Sequence, residues 1–501
     1  MNQTNYNIVQ LFLEAAQKYP KNIAIIEGED QISYQNLVTD VRQTAMYFTD
    51  KGIVKGDRVL VFVPMSIKLY RIVLALFHIG ATAVFLDEWV SRERLLLCCR
   101  LANCKGFIGT NKARLLGLMA KEIRQIPIKL GLNKKHNIES QGIEVHPDTS
   151  ALITYTTGST GTPKAADRSH GFLLEQFKIL KTKLGSKPSD VDMTMMPIVL
   201  FLNLGVGATS VIANYNSRKP ELIQPKLIFN QLKFHHVNRL TASPFVVKCL
   251  SDYLINNREQ LHSLRQVFTG GAPVFPREGK RYLEAFPTSE LNIIYGSTEA
   301  EPISSINAKA LVNQAETLKI GLPVGAVHQA TELKIISLEW SKHSCNIDEF
   351  NNHDHKEHEI GEIIVAGDHV LKRYYNNPEA FKENKIVVGN KIWHRTGDSG
   401  FIKDGQLFLT GRCQQLVLRN NQILSPFILE NQIQDIEGVS AGTLLEHEGN
   451  LVLALETDQS EDQLKPRLTN QIYDRLVLTS SLPRDPRHHS KLDYGRIRTI
   501  L

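Results

Sequence analysis

The chain has 501 residues, of which 42% are hydrophobic and 22% are charged, and its formal net charge is +6. This length exceeds what one hydrophobic core supports, and a mild positive excess without a basic run argues against nucleic-acid binding. We expect no membrane span and no secretory signal, since no apolar run is long enough and the start is not basic. The six cysteines lack zinc-like spacing, so we expect reduced thiols and a cytoplasmic location.

The first part of the chain alternates strands with helices. Residues 7–50 are typical of two amphipathic helices around a short hairpin. Residues 58–63 form a continuous apolar run, as a buried parallel strand does, and a helix over 67–78 and a strand over 83–86 follow. This β-α-β rhythm predicts doubly wound α/β sheets.

Residues 154–164 read Thr-Tyr-Thr-Thr-Gly-Ser-Thr-Gly-Thr-Pro-Lys and follow the apolar run 151–153. A strand that ends in such a loop presents backbone N–H groups, hydroxyls and one ammonium to a single point, which suits a polyphosphate. Gly158 and Gly161 permit close backbone approach, and Lys164 supplies charge. The spacing is not that of the common P-loop, which has four residues between its glycines and ends in Gly-Lys-Ser/Thr.

The strand and helix rhythm continues after this loop, with strand-like runs at 192–198, 266–269 and 292–295. Residues 320–412 change to short alternating strands with Gly and Pro turns, which predicts a β-rich unit. Residues 413–501 are typical of a compact α+β module.

Two further segments follow apolar strands. Thr269-Gly270-Gly271-Ala272-Pro273 would let a flat ring approach the backbone, and Tyr295-Gly296-Ser297-Thr298-Glu299 combines an aromatic face with a carboxylate. Tyr295 could stack on a base, and Glu299 could hold a hydrated Mg²⁺.

Three charged residues complete the set in the last quarter of the chain. Asp398, within His-Arg-Thr-Gly-Asp, could bind two ribose hydroxyls, and Arg412 follows Gly411 at the end of the β-rich region. Lys491 lies near the chain end. Each residue alone has an ordinary structural explanation, but their order along the chain makes coincidence implausible.

Together these motifs resemble the adenylate-forming superfamily, which includes acyl-CoA synthetases, nonribosomal adenylation domains and luciferases. The resemblance runs from about residue 8 to the end. It implies an α/β fold with a large N-terminal domain, residues 1–412, made of two β/α subdomains and a distorted β-barrel at about 320–412. A small mobile α+β domain, residues 413–501, would act as a lid after a hinge near Cys413.

The resemblance also implies residue roles. The pyrophosphate end of ATP would be held by Thr156, Thr157, Gly158, Ser159, Thr160, Gly161 and Lys164. The rest of the nucleotide would contact Gly271, Ala272, Pro273, Tyr295, Gly296, Ser297, Thr298, Asp398 and Arg412. Mg²⁺ would be bound by Glu299, and the residues implied in catalysis are Thr157, Lys164, Glu299 and Lys491.

The chain departs from most acyl-CoA synthetases at the second step. Their C-terminal hairpin for CoA carries Ile-Lys-x-x-Gly, whereas this chain has Leu418 at the lysine and Asn421 at the glycine. Arg373 replaces the usual glycine before Tyr-Tyr-Asn, and Ala165 replaces the glycine after the loop lysine. The adenylation motifs are kept while the CoA hairpin is altered.

Residues 295–306 (YGSTEAEPISSI), 394–400 (HRTGDSG) and 487–491 (RHHSK) look like one branch, the β-lactone synthetases of olefin biosynthesis. The substrate expected is a fatty or other hydrophobic carboxylic acid, with its pocket near the apolar run 196–205, in which Asn203 either caps a turn or touches substrate. The acceptor is expected to be CoA; the alternatives are the substrate's own β-hydroxyl and a separate acyl carrier protein.

Overall fold

The structure is a computed structural model. It describes residues 5–86, 92–156, 163–314, 319–340, 342–352, 357–419, 422–468, 472–485 and 489–501. The helices are α1 Val9–Lys18, α2 Tyr34–Asp50, α3 Ile67–His78, α4 Arg92–Ala102, α5 Asn111–Met119, α6 Lys121–Arg124, α7 His170–Leu184, α8 Pro197–Val206, α9 Pro225–Phe234, α10 Pro244–Asn257, α11 Pro276–Ala285, α12 Ala308–Asn313, α13 Ile347–Asn352, α14 Pro378–Asn384, α15 Pro426–Gln434, α16 Glu461–Leu464 and α17 Tyr494–Ile497.

The strands of the first half are β1 Ile23–Glu27, β2 Asp30–Ser33, β3 Arg58–Phe62, β4 Thr82–Phe85, β5 Gly106–Gly109, β6 Ile128–Leu130, β7 Ser150–Thr156, β8 Lys164–Ser169, β9 Val191–Thr194, β10 Thr209–Ile212 and β11 Arg239–Ala242. Those of the second half are β12 Gln266–Gly270, β13 Glu290–Ser297, β14 Ala300–Asn307, β15 Leu322–Ala326, β16 Glu332–Ile336, β17 Ser344–Cys345, β18 Gly361–Ala366, β19 Lys385–Val388, β20 Lys391–Lys403, β21 Gln406–Arg412, β22 Val417–Arg419, β23 Gln422–Leu424, β24 Val439–His447, β25 Asn450–Thr457 and β26 Arg475–Thr479.

Two mainly parallel sheets form the first layers. One has the strand order β6-β5-β3-β4-β7-β8, and the other has β14-β13-β12-β11-β9-β10-β1-β2. Only the edge pairs β7/β8, β13/β14 and β1/β2 are antiparallel within these two sheets as described. The central residues of β3, Val59 to Val61, are at most 2% exposed, as their apolar run predicts for a strand covered on both faces. The predicted pair of β/α subdomains is confirmed.

One predicted strand was partly wrong. The run 192–198 forms β9 only as far as Thr194, and α8 begins at Pro197. Proline is favoured in the first helical turn, where a missing N–H removes no hydrogen bond. The apolar residues after Thr194 therefore continue as a helix, and this turn brings them to the carboxyl end of β9.

A third, mainly antiparallel sheet follows, with the path β15-β21-β20-β18-β16 and with β19 also pairing β20. This is the predicted β-rich unit. Beyond β21 the chain forms the hairpin β22-β23, the sheet β24-β25-β26 and helices α15 to α17, which we call the C-terminal unit. This unit has its own apolar core, which includes Ile433, Leu453 and Leu455. The predicted domain boundary between residues 412 and 413 stays a prediction.

Among the helices that the structure describes, none is both long enough and apolar enough to cross a bilayer.

Candidate active site

One large cavity of about 2170 Å³ lies where the sheets and the C-terminal unit meet. The carboxyl ends of β9, β12 and β13 open into it, which is where open α/β sheets bind ligands. Its lining includes the predicted site residues Lys164, Gly271, Ala272, Pro273, Tyr295, Gly296, Ser297, Thr298, Glu299, Asp398, Arg412 and Lys491. Segments separated by more than 300 positions in sequence thus line the same cavity.

The predicted phosphate loop joins two paired strands. Thr156 ends β7 and Lys164 begins β8, and the two residues are register partners in an antiparallel pair. The predicted Thr157, Gly158, Ser159, Thr160 and Gly161 lie outside the described residues. The antiparallel pairing of β7 with β8 places Lys164 opposite Thr156, at the start of β8.

Lys164 is hydrogen-bonded to the side-chain amide of Asn384, a residue that the sequence did not indicate. Its Nζ donates a 2.6 Å hydrogen bond to Oδ1 of Asn384 at the end of α14, and Nδ2 of Asn384 donates back to the Ala380 carbonyl. Burial lowers the pKa of Lys164, and the nearby Glu299 carboxylate opposes this shift. The ammonium is thus oriented by a residue 220 positions away.

Glu299 follows β13 and is tied to the segment after β18. Its carboxylate accepts a 3.3 Å hydrogen bond from the hydroxyl of Tyr374, and its carbonyl accepts from the N–H of Leu371 at 2.7 Å. Since Oε1 alone takes the Tyr374 contact, this carboxylate retains acceptor capacity toward the cavity that it lines. An oriented carboxylate of this kind fits a hydrated divalent cation.

A second lysine, Lys385, lies near Glu299 and Tyr374, and the sequence did not indicate it. It is completely buried, its Nζ donates to the Leu371 carbonyl, and it lies 5.4 Å from the ring centre of Tyr374. Desolvation lowers the pKa of Lys385 to about 7. Its register partner His394 is also buried and has a strongly lowered pKa, first from desolvation and then from Lys385. A lysine before three apolar residues looks like a surface charge in sequence, so no local signal revealed this site.

Asp398 stands between Tyr295 and Arg412. Its Oδ2 accepts from the Tyr295 hydroxyl at 2.8 Å, and its Oδ1 lies 3.1 Å from Nε of Arg412. Asp398 and Arg412 are register partners on β20 and β21, which fixes their side chains on the same face. Burial raises the pKa of Tyr295, and the Asp398 charge raises that of Arg412. The phenol and the guanidinium therefore keep their protons and hold the carboxylate in place.

Two glycines keep the wall next to Tyr295 open. Gly271 has φ +87°, a backbone conformation that L side chains rarely adopt. At Gly296 an added Cβ would stand 2.8 Å from the Ala300 carbonyl oxygen, so a side chain there would collide with backbone. Both positions need glycine for reasons that the tertiary structure supplies.

The start of α8 and the two residues before it contribute part of the apolar lining of the cavity. Met195, Met196, Pro197, Ile198 and Phe201 line it. The predicted acyl region at 196–205 thus contributes its first turn, while its remaining residues pack in the core.

Asn203 corrects a prediction. It neither caps a turn with its side chain nor lies among the cavity-lining residues. It is completely buried, and its Nδ2 donates to Oδ2 of Asp192 at 2.9 Å and to Oγ of Ser210 at 3.1 Å. Burial raises the pKa of Asp192 to about 6. Asn203 therefore joins α8 to the strands beneath it.

Arg373, which replaces the usual glycine, is an ion-pair residue. Its Nε donates to Oδ2 of Asp167 at 2.7 Å, and its guanidinium also donates to the Asp148 carbonyl and to Oγ of Ser150. The Asp167 side chain is only 6% exposed. This contact attaches the segment after β18 to β8, whose first residue is Lys164.

The hairpin β22-β23 carries Leu418 at the position where the resemblance to acyl-CoA synthetases implies a lysine. Leu418 is 71% exposed, and the neighbouring Arg419 is engaged by both carboxylate oxygens of Asp474 at 2.8 and 2.9 Å. Asn420 and Asn421 lie outside the described residues. Arg419, the cation next to Leu418 in sequence, is thus paired within the C-terminal unit.

Lys491 reaches the cavity from the C-terminal unit. Its backbone is fastened to Asp485, whose Oδ1 accepts from the Lys491 N–H and whose own N–H donates to the Lys491 carbonyl, both at 2.8 Å. The backbone of Lys491 is therefore held to Asp485 by two hydrogen bonds.

The chain is similar to known enzymes along most of its length. The family model described as AMP-binding enzyme matches residues 12–375. The olefin β-lactone synthetase of Xanthomonas campestris pv. campestris is 27% identical over 423 residues, which are 78% of this chain and 75% of that protein. The 4-coumarate-CoA ligase 1 of Narcissus pseudonarcissus is 23% identical over 480 residues, which are 87% and 83% of the two chains.

Among solved structures, ATP-bound MatB from Rhodopseudomonas palustris superposes with a TM-score of 0.83 at 19% identity, and 99% of each chain is covered. That likeness establishes the shared fold. The family model covers most of the chain. The chain therefore belongs to the AMP-binding enzyme family and is an ATP-dependent, adenylate-forming ligase.

Proposed function

We propose that this ligase activates a hydrophobic β-hydroxy acid as its acyl adenylate and that the substrate's own hydroxyl then closes a β-lactone. The observation that carries the first step is the convergence of Lys164, Glu299, Asp398, Arg412 and Lys491 on one cavity. The wall from α8 favours an apolar acyl chain, because Met196, Ile198 and Phe201 offer it no polar partner.

The first step requires two anions to meet. A carboxylate oxygen of the acid attacks the α-phosphorus of ATP, and the bond from that phosphorus to the bridging oxygen of the β-phosphate breaks. In this proposal Lys491 lies between the acid and the α-phosphate, while Lys164 draws on the leaving pyrophosphate. Mg²⁺, held by Glu299, would supply further screening of the phosphate charge when bound.

The nucleotide would be oriented by the Tyr295, Asp398 and Arg412 group. Tyr295 lines the cavity, and its ring would offer a stacking surface for adenine. Asp398 has one contact on each oxygen, which leaves a lone pair on each for the two ribose hydroxyls. Holding the nucleotide and the acid in one reactive geometry lowers the activation barrier by roughly 7–11 kcal/mol in favourable cases.

The second step then needs no external acceptor. The β-hydroxyl oxygen attacks the acyl carbon, the bond to AMP breaks, and the hydroxyl proton is released. Two observations favour this acceptor over CoA: the exposed Leu418 at the hairpin position of the usual lysine, and the likeness to an olefin β-lactone synthetase. Transfer to CoA, which the likeness to a 4-coumarate-CoA ligase favours, and transfer to a separate acyl carrier protein are the alternatives.

The test compares a β-hydroxy fatty acid with the same acid lacking the hydroxyl, each with ATP and Mg²⁺ and with or without CoA. We expect the hydroxy acid to yield pyrophosphate, AMP and, by mass spectrometry, a product lighter by one water, all independent of CoA. We expect the plain acid to stop at the adenylate. An absolute CoA requirement with a thioester product would exclude lactone formation while leaving adenylation intact.

A further inference from the structure

Helix α10 has an N-terminus that its own residues leave uncapped. Its N-cap residue, Ser243, makes no side-chain cap hydrogen bond, and Pro244 has no N–H to satisfy. The first N–H groups of a helix have no acceptor within the helix, so Phe245 needs a partner from elsewhere.

That partner comes from the C-terminal unit. Oγ of Ser490 accepts a 3.2 Å hydrogen bond from the Phe245 N–H, across 245 positions of sequence. The ring of His489 packs edge-on against that of Phe245, with 5.0 Å between the ring centres. The two adjacent residues thus contact one helix start through a polar and an aromatic contact.

His489, Ser490 and Lys491 are all hydrogen-bonded to Asp485. Oδ1 of Asp485 accepts from the N–H groups of Ser490 and Lys491 at 3.1 and 2.8 Å, and the Asp485 carbonyl accepts from the His489 N–H at 3.0 Å. His489 has φ +52°, a left-handed conformation that such bracing maintains. Because Ser490 and Lys491 are adjacent and share one acceptor on Asp485, fixing Ser490 on α10 fixes where Lys491 enters the cavity.

We propose that Ser490 is a positioning residue that docks the C-terminal unit on the start of α10 and thereby places Lys491 for adenylate formation. The inference rests on the proposed role of Lys491. The contact is specific to this orientation, since the Phe245 N–H and the Ser490 hydroxyl sit on different units. It must break whenever the C-terminal unit turns away.

Ser490→Ala removes the acceptor, and a lost helix cap corresponds to about a fivefold change in an equilibrium constant. We expect kcat of adenylate formation, measured by pyrophosphate–ATP exchange, to fall about fivefold, while KM for ATP stays unchanged because the residues proposed to hold the adenine, the ribose and the pyrophosphate all precede the C-terminal unit. Ser490→Thr keeps the hydroxyl and should restore the rate. Ser243→Ala is the matched control on the same helix, because that hydroxyl makes no cap bond.

A second readout is independent of catalysis. Fluorophores attached through unnatural amino acids at the exposed positions Gln260 and Glu437 report the distance between the large part of the chain and the C-terminal unit. We expect Ser490→Ala to broaden this distance distribution in the full chain and Ser243→Ala to leave it unchanged. An unchanged distribution and exchange rate in Ser490→Ala would overturn the proposal.

The exchange assay on Lys491→Ala separates this inference from the proposed function. If Lys491→Ala retains the wild-type exchange rate, the proposed role of Lys491 is wrong. If Ser490→Ala then still broadens the distance distribution, the docking role of Ser490 is supported without the catalytic one. If Lys491→Ala loses exchange and Ser490→Ala equals wild type in both readouts, the proposed function stands and Ser490 has no positioning role.

Discussion

The hydroxyl of Tyr295 donates a 2.8 Å hydrogen bond to Oδ2 of Asp398, which joins the end of β13 to the middle of β20. These strands belong to different sheets. The bond holds the aromatic face and the carboxylate in one fixed relation, and each would serve a different part of the same nucleotide.

This relation predicts separable effects at Tyr295. Tyr295→Phe keeps the ring but loses a hydrogen bond to a charged acceptor, so we expect KM for ATP to rise roughly tenfold. Tyr295→Ala also loses the stacking surface and should raise it further. Steady-state kinetics with varied ATP measures both. Equal KM values for Phe and wild type would show that Asp398 needs no help from the phenol.

Glu299→Gln tests the proposed magnesium ligand. The amide keeps the shape and the Tyr374 contact but lacks the charge, so we expect the Mg²⁺ concentration for half-maximal activity to rise by about an order of magnitude. Titration of activity with MgCl₂ at fixed ATP gives this value. Glu332→Gln, at an exposed carboxylate paired with Lys391, is the control and should leave the Mg²⁺ dependence unchanged.

The Arg373–Asp167 pair predicts a stability effect. Arg373→Met leaves the buried Asp167 carboxylate without its cation, and its Oδ1 already has no hydrogen-bond partner among the described residues. We expect the free energy of the first unfolding transition to fall by about 1–3 kcal/mol. The double variant Asp167→Asn/Arg373→Met should recover part of this loss. If the loss of unfolding free energy in the double variant equals the sum of the losses in Asp167→Asn and Arg373→Met, the pair is not coupled.

Lys385 predicts a dependence of stability on pH. Its folded-state pKa is about 7, below the value of an exposed lysine, so between about pH 7 and pH 10 the unfolded chain binds a proton that the folded chain does not. Stability therefore gains from this residue as pH rises through that window. Lys385→Met removes the ammonium, and we expect its stability advantage over wild type to be largest at pH 6 and to shrink toward pH 9. Melting temperatures of both proteins across this range measure the difference, and a constant difference would contradict a buried, shifted lysine.

Many of the candidate site residues can be predicted from the sequence because they lie in short segments with characteristic residue types. Tyr295 near the end of β13 and Glu299 just after it lie four positions apart, and the loop before Lys164 combines glycines with hydroxyls. Such local combinations are rare enough to indicate adenylation. The parallel strands could also be predicted from the sequence, since continuous apolar runs are typical of strands covered on both faces.

The sequence alone thus determined the family chemistry and the α/β fold class, because both depend on residue types at short, fixed spacing. Only the tertiary structure decided which partner each group meets. Asn384 orients Lys164, Asp167 neutralises Arg373, Asn203 turns into the core, and Ser490 reaches α10. These partners are separated by between 11 and 245 positions, and a local pattern records burial and periodicity but not the identity of a distant neighbour.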